Sequence, residues 1–338
     1  MDYKVIKYSE ISRSQWNANI ESLCGHLHLV SWENLNYYSA FNKIANKSFL
    51  IQIDKQIYSA VPVAINKNFK KHFFGFNYGY CPSPIFKKDI KPSLRRKLYN
   101  VIIEELKKIG RKTITKLNLF THPAIVSRRS EINSKNQFEL LSFNPEINIV
   151  NTLIMELNKS EDIILSNLSK YHKKNIQKGI KNNLRFNVYD SNTDRILLKK
   201  IFLEFKNLHF KSAGRLTRPK LTWDVMYNLI LDNHADLFSI SLLNKNISFL
   251  YCGKYQDYSW GWSQVNHDKY EKKYMPRHLL EWQTILHYKN KLFKFYEIGE
   301  RLYFKKGKKI TRKETSISEF KEKYGSENYP KAYFKIKI

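Results

Sequence analysis

The stretch HFKSAGRLTRPKLTW, from His209 to Trp223, gathers a histidine, two arginines and a tryptophan where the pattern predicts a helix end at Gly214 and a short loop. Arginine in such a loop suits bidentate capture of carboxylate or phosphate. Arg215 and Arg218 are therefore candidates for holding an anionic group, with Trp223 beside them. Histidine ordinarily changes charge near neutral pH, which makes His209 a candidate proton acceptor. The plain alternatives are a cap or salt bridge for one arginine and a neutral structural role for the histidine. A second stretch, YEIGERLYFKKGKKITRKETSISEFKEKYG, runs from Tyr296 to Gly325 and places Glu297, Glu300 and Arg301 at a predicted strand end. Loops at strand ends are where sites tend to be built.

A third segment, SKYHKKNIQKGIKNNLRFNVYD from Ser169 to Asp190, predicts a basic helix carrying Lys170, Lys173, Lys174, Lys178 and Lys181. These could track the phosphates of RNA or a lipid pyrophosphate head, or form one solvated helix face. Cys24, His26 and His28 make a C-x-H-x-H cluster, but no second cluster completes four metal ligands, so no metal is expected. His278 and Glu281 share a face of a predicted helix, and that spacing reads as a surface pair before an acid-base dyad. Trp32, Trp260 and Trp262 could stack on a sugar or base; alternation sends Trp260 and Trp262 to one face, and burial in the core is the reading favoured for Trp32 and one of that pair.

The elements that must position these residues follow a repeated order. Ser31 is a predicted N-cap for a helix carrying Trp32, Leu35, Tyr38 and Phe41. Strand-like runs start at Lys47, Gln56 and His72, and Cys81–Pro84 breaks the pattern. Ser93 is read as the cap of a helix that Gly110 ends, and a strand spans Thr113 to Phe120. Later come helices over Ile196 to Leu208 and from Thr222, strands from Leu237, Ile247 and Tyr258, a helix from Pro276 to Tyr288, and a strand from Lys294 to Gly299. Helix, three strands, helix, strand thus appears twice. Two α+β domains are expected, residues 1–150 and 151–338, the second carrying most of the site.

Across 338 residues, 59 Lys and Arg face 30 Asp and Glu, a net charge of +29 that suits a polyanionic neighbour, although AT-rich coding and a solvated surface would also produce it. With 42% hydrophobic residues the chain is globular, not disordered. Three scattered cysteines and no long apolar run point to the cytoplasm. Phosphate-loop, nucleophile-elbow and dinucleotide fingerprints are absent.

Four segments in order, SWENL at Ser31, KNIQKGIKNNLRFNV, AGRLTRP and the closing strand-loop-FK pattern ending in SEFKEKYG, resemble the FemABX-like branch of the GNAT-type acyltransferases. The resemblance implies a fold of two tandem GNAT-like domains, each a mixed, mostly antiparallel sheet flanked by helices. It implies transfer of an amino acid or other acyl group onto an amine of a peptidoglycan or surface-polysaccharide precursor, nucleotide- or lipid-linked. Lys321, of the Phe320-Lys321 pair, matches the family's FK lysine near the transfer centre, where a fixed cation would stabilise an oxyanion. Arg215 and Arg218 fall at the acceptor-binding position, and Trp32 matches the S-W tryptophan. The chain lacks the R-x-x-G-x-G/A loop that holds CoA, which favours aminoacyl-tRNA or another carrier over acyl-CoA as co-substrate; no bound cofactor is expected. No long helical-hairpin arm is evident between Leu184 and His209, which bears on tRNA engagement. The alternatives are an acetyl-CoA-dependent amino-sugar N-acetyltransferase and a non-catalytic module binding RNA or an anionic membrane. The expected place is the cytoplasm, including the inner face of the membrane.

Overall fold

The computed structural model describes residues 2–24, 28–68, 71–76, 79–111, 113–121, 140–303 and 310–338. The chain is α+β and divides into two compact units, Met1–Val150 with Pro330–Ile338, and Asn151–Tyr329.

In the first unit, β1 (Lys4–Lys7) and α1 (Arg13–Cys24) precede α2 (Trp32–Asn42), whose N-cap Ser31 accepts from the Asn34 N–H. The strands β2 (Ala45–Asn46), β3 (Phe49–Ile53), β4 (Gln56–Val61), β5 (Ala64–Asn68) and β6 (Lys71–Phe74) follow. The run expected from Gln56 is two strands, because Pro62 lacks the N–H a ladder needs. β7 (Cys81–Pro82) and β8 (Ile85–Phe86) lie where only a break was expected. α3 (Pro92–Gly110) starts at Pro92 with Lys91 as N-cap, so Ser93 is not the cap: proline's fixed φ opens the first turn. Gly110 is its last helical residue, and Arg111 supplies the left-handed C-cap at φ 48°. β9 (Lys116–Thr121) runs parallel to β7. Strand orders are β1-β3-β4-β8 and β2-β5-β6, over a core that includes Trp16, Phe49, Phe74 and Leu98.

The second unit begins within β10 (Glu146–Glu156) and continues through α4 (Glu161–Asn167), α5 (Lys170–Lys181), β11 (Arg185–Tyr189), α6 (Arg195–Ala213) and α7 (Lys220–Leu231). Then come β12 (Ala235–Leu242), β13 (Lys245–Tyr255), β14 (Tyr258–Asn266), α8 (Asp268–Tyr274), α9 (Pro276–Asn290), β15 (Phe295–Arg301) and α10 (Arg312–Glu322). The expected order of helix, three strands, helix, strand does not recur element for element: seven described strands, β2 to β8, three of them two residues long, separate α2 from α3, whereas the second unit runs α7-β12-β13-β14-α8-α9-β15. The sheet order is β11-β12-β13-β14-β15-β10, antiparallel except where β14 meets β15.

The final strand, β16 (Glu327–Lys337), departs from the expected boundary. Ala332–Lys337 pair antiparallel with β9, and Phe334 and Ile336 enter the first unit's core, so Pro330–Ile338 belong with the first unit, not the second. No helix among the described residues is long and apolar enough to cross a membrane.

Candidate active site

Strand β14 runs parallel to β15 for three pairs only, Tyr258 with Phe295, Ser259 with Tyr296 and Trp260 with Glu297. Both strands then continue, to Asn266 and Arg301, with no further ladder between them. Two parallel strands that part in this way leave backbone N–H and C=O groups along the opening for a ligand.

On the β15 side the opening meets α10. Thr311 and Glu314 close a capping box at the start of this helix, and Lys321 lies in its last turn. A methyl group on Gly299 would fall 2.5 Å from Lys321 Nζ, and Gly299 sits at φ +120°, so glycine both tolerates the backbone and makes room for the amine. Burial pushes the Lys321 pKa below the ordinary lysine range; Glu300, Glu281 and Glu297 oppose that shift. Among the described residues Lys321 Nζ makes no hydrogen bond or ion pair, and its protons remain available.

The preceding residue anchors the helix end. Phe320 lies 5.0 Å from the His172 ring and 5.1 Å from the His278 ring, with the Arg277 guanidinium 4.4 Å over its face. His172 Nε2 donates to the Phe320 carbonyl at 3.0 Å, which leaves Nδ1 to accept from Ser169 Oγ at 3.1 Å. Ser169 N–H donates to the Lys323 carbonyl. The start of the basic helix α5 thus clamps the turn that carries Lys321. Burial lowers the His172 pKa to about 4.

Three carboxylates surround the lysine electrostatically. Glu297 is buried and accepts from Thr152 Oγ1 at 2.6 Å and Tyr258 OH at 2.8 Å. Glu281 is buried on α9 and accepts from Tyr296 OH at 2.7 Å; burial pushes its pKa up to about 7, against the Tyr296 bond and Lys321. The expected surface pair His278 and Glu281 is therefore a correction: both are buried, since Leu279, Leu280, Trp282 and Ile285 make α9 apolar on several faces. Burial lowers the His278 pKa to about 3.

On the β14 side, Ser263 joins two of the loop residues. Arg218 Nη2 donates to Ser263 Oγ at 2.9 Å, and His209 Nε2 lies 2.8 Å from the same oxygen, so the Ser263 hydroxyl donates to a neutral His209. Burial, then the nearby Arg218 charge, lower the His209 pKa to about 4. Arg218 also stands 5.2 Å over the ring of Trp223, which is buried against Phe202 and Phe205. Trp223 is thereby a core residue that carries Arg218. Arg215 is exposed, apart from this cluster.

The other expected residues fall as follows. Arg301 pairs through Nε with Glu322 Oε2 at 3.0 Å and covers Tyr303, tying β15 to α10. Trp260 and Trp262 are both half-buried with rings 5.3 Å apart, so neither is the core residue that one of them was expected to be: a bulge opposite Tyr251 and Cys252 and the ring's seat over Gly253 keep the pair at the surface. Trp32, in the first unit, is half-buried and stacks on Tyr8 at 4.0 Å; it lines that core's margin instead of its centre. Lys170 and Lys174 are exposed and Lys178 half-buried, whereas Lys173 Nζ donates to the Ser166 carbonyl at 2.8 Å. His28 is buried; the side chain of Cys24 and residue His26 lie outside the described residues. Sequence reasoning missed Ser263, Tyr296, Gly299 and His172. Only the glycine in YEIGER, two residues after Glu297, offered a signal.

No family model and no curated protein sequence matches the chain. Solved structures do. FemX is similar at a TM-score of 0.69 and 11% identity, over 100% of this chain and 98% of that one. L-PGS from Bacillus licheniformis gives 0.60 and 12%, over 96% and 91%. A tandem GNAT protein from the clavulanic acid biosynthesis pathway gives 0.57 and 9%, over 99% and 98%. The chain has the tandem GNAT-like fold of these proteins.

Proposed function

We propose that this chain is an acyl or aminoacyl transferase that forms an amide on an amine of a cell-envelope glycan or peptidoglycan precursor. The observation that carries the reading is the Lys321 amine, seated over Gly299 beside the parting of β14 and β15, with no hydrogen bond or ion pair among the described residues. The fold shared with FemX and L-PGS supports transfer chemistry.

In this reading the acceptor amine attacks the carbonyl carbon of an ester-linked acyl donor, and negative charge develops on the carbonyl oxygen. Lys321 stabilises that oxyanion; one such preorganised donor is worth about 10²–10³ in rate. The C–O bond to the carrier then breaks, and the proton lost by the amine ends on the carrier hydroxyl. His209 is neutral at pH 7 with Nε2 occupied by the Ser263 hydroxyl, so a proton reaching it passes through Ser263 Oγ. Arg218 fixes that serine, and exposed Arg215 is placed to meet an anionic acceptor group. Glu297 holds the floor of the cleft through Thr152 and Tyr258. Lys170, Lys174 and Lys178 would meet donor RNA or a phosphorylated acceptor. We place the enzyme in the cytoplasm, with aminoacyl-tRNA ahead of acyl-CoA as donor because the CoA loop is missing from the sequence.

The test is a donor titration at low salt: labelled aminoacyl-tRNA or acetyl-CoA with an amino-sugar nucleotide, product mass recorded. An aminoacyl mass gain supports the reading as stated, and an acetyl gain moves it to amino-sugar N-acetylation. No product with either donor contradicts it.

A further inference from the structure

Helix α6 has two apolar faces. One is buried, through Leu198, Ile201, Phe202 and Phe205. The other faces solvent: Ile196 is 82% exposed, Leu203 46% and Phe210 53%. These three are spaced seven residues apart. At about 100° per residue they fall within about 40° of one line along the helix, opposite the buried face. Leu216 and Leu221, just past the helix end and at the start of α7, are also exposed, at 73% and 61%.

Lysines flank this strip on both sides. By the same rotation Lys199 and Lys206 lie along one edge, Lys200 and Lys211 along the other. The carboxylate of Glu204 on this helix accepts from Asn246 Nδ2 at 2.8 Å. Between α6 and Tyr227 of α7 runs an open groove of about 660 Å³ with Ile196 and Leu203 on its wall.

A second copy of the chain would bring lysine rows against lysine rows, which repels. A nucleic acid would satisfy the lysines and gain nothing from isoleucine and leucine. A bilayer with anionic headgroups fits both features, since its phosphates meet the lysines while the apolar ridge enters the acyl boundary. We propose that the outer face of α6 seats the protein on an anionic membrane surface. This inference does not rest on the transfer reaction.

The experiment is co-sedimentation of the full chain with vesicles of phosphatidylcholine alone, or of phosphatidylcholine with one quarter phosphatidylglycerol. A chain of net charge +29 is drawn to any anionic vesicle, so the deciding variant keeps every charge: Ile196→Ser, Leu203→Ser and Phe210→Ser together. The wild type is expected on the phosphatidylglycerol vesicles, with part of its binding persisting at 0.5 M salt. The triple variant is expected to bind at least tenfold more weakly and to melt within about 2 °C of wild type. Equal binding by wild type and variant would overturn the proposal. So would absence of vesicle binding, or a mass measurement showing that the substitutions turn a dimer into a monomer. A tRNA titration run beside it is expected to give the same Kd for both proteins; a parallel loss there would assign the face to RNA instead.

Discussion

Replacing Gly299 by alanine perturbs the candidate site at its tightest point. The new methyl carbon would stand 2.5 Å from Lys321 Nζ, whereas non-bonded heavy atoms settle near 3.5 Å, so the amine must retreat by about 1 Å. A displacement of that size at a reacting centre costs about 10²-fold in rate. The φ of +120° adds backbone strain of about 1–3 kcal/mol for a residue bearing a Cβ, or roughly 3–10 °C in Tm for a unit of this size. Gly299→Ala should therefore lower kcat about a hundredfold with little change in KM, and lower Tm. The paired measurement is the double variant Gly299→Ala, Lys321→Ala. Removing the lysine relieves the clash, so the double variant should recover part of the Tm over Gly299→Ala while activity stays lost. Wild-type kcat in Gly299→Ala would refute the account of this glycine.

Glu281 has a folded pKa of about 7, above its unfolded value near 4.3, so the stability tied to its protonated form is complete below pH 4 and is lost as pH rises through 7. Denaturant titrations should lose about 2–3 kcal/mol between pH 5 and 8, and Glu281→Gln should flatten that slope. His172 runs the other way: with a folded pKa of about 4 against an unfolded value near 6.5, its contribution is complete above pH 6.5 and is lost as pH falls toward 4. His172→Gln should remove up to about 3 kcal/mol of acid-induced loss in chemical denaturation followed by circular dichroism. Ser263→Ala leaves His209 and Arg218 without their shared hydroxyl, and kcat should fall about tenfold in steady-state assays with Tm within about 4 °C of wild type.

The sequence made individual α+β elements legible because hydrophobic period and helix punctuation are local: Ser31 and Pro276 mark real helix starts, and the buried runs of β12 to β14 read as strands. The return of Ala332–Lys337 to β9 was not legible, since it depends on a pairing more than 200 residues apart in the chain. Lys321 stood out as a candidate through its FK context, and His209 and Arg218 through their loop. What joins them was hidden. The Ser263 hydroxyl looks like any strand serine, and the positive φ that makes Gly299 necessary appears only once β15 bulges against β10 between Leu153 and Ile154. His278 and Glu281 were misread because three-residue spacing fixes a shared helix face but not whether that face meets water.

The most direct test of the central claim is single-turnover amide formation by Lys321→Ala under donor and acceptor conditions in which the wild type gives product, with acceptor binding measured beside it by calorimetry. The account predicts a rate about 10²–10³-fold lower with acceptor Kd unchanged. Transfer at the wild-type rate would contradict it.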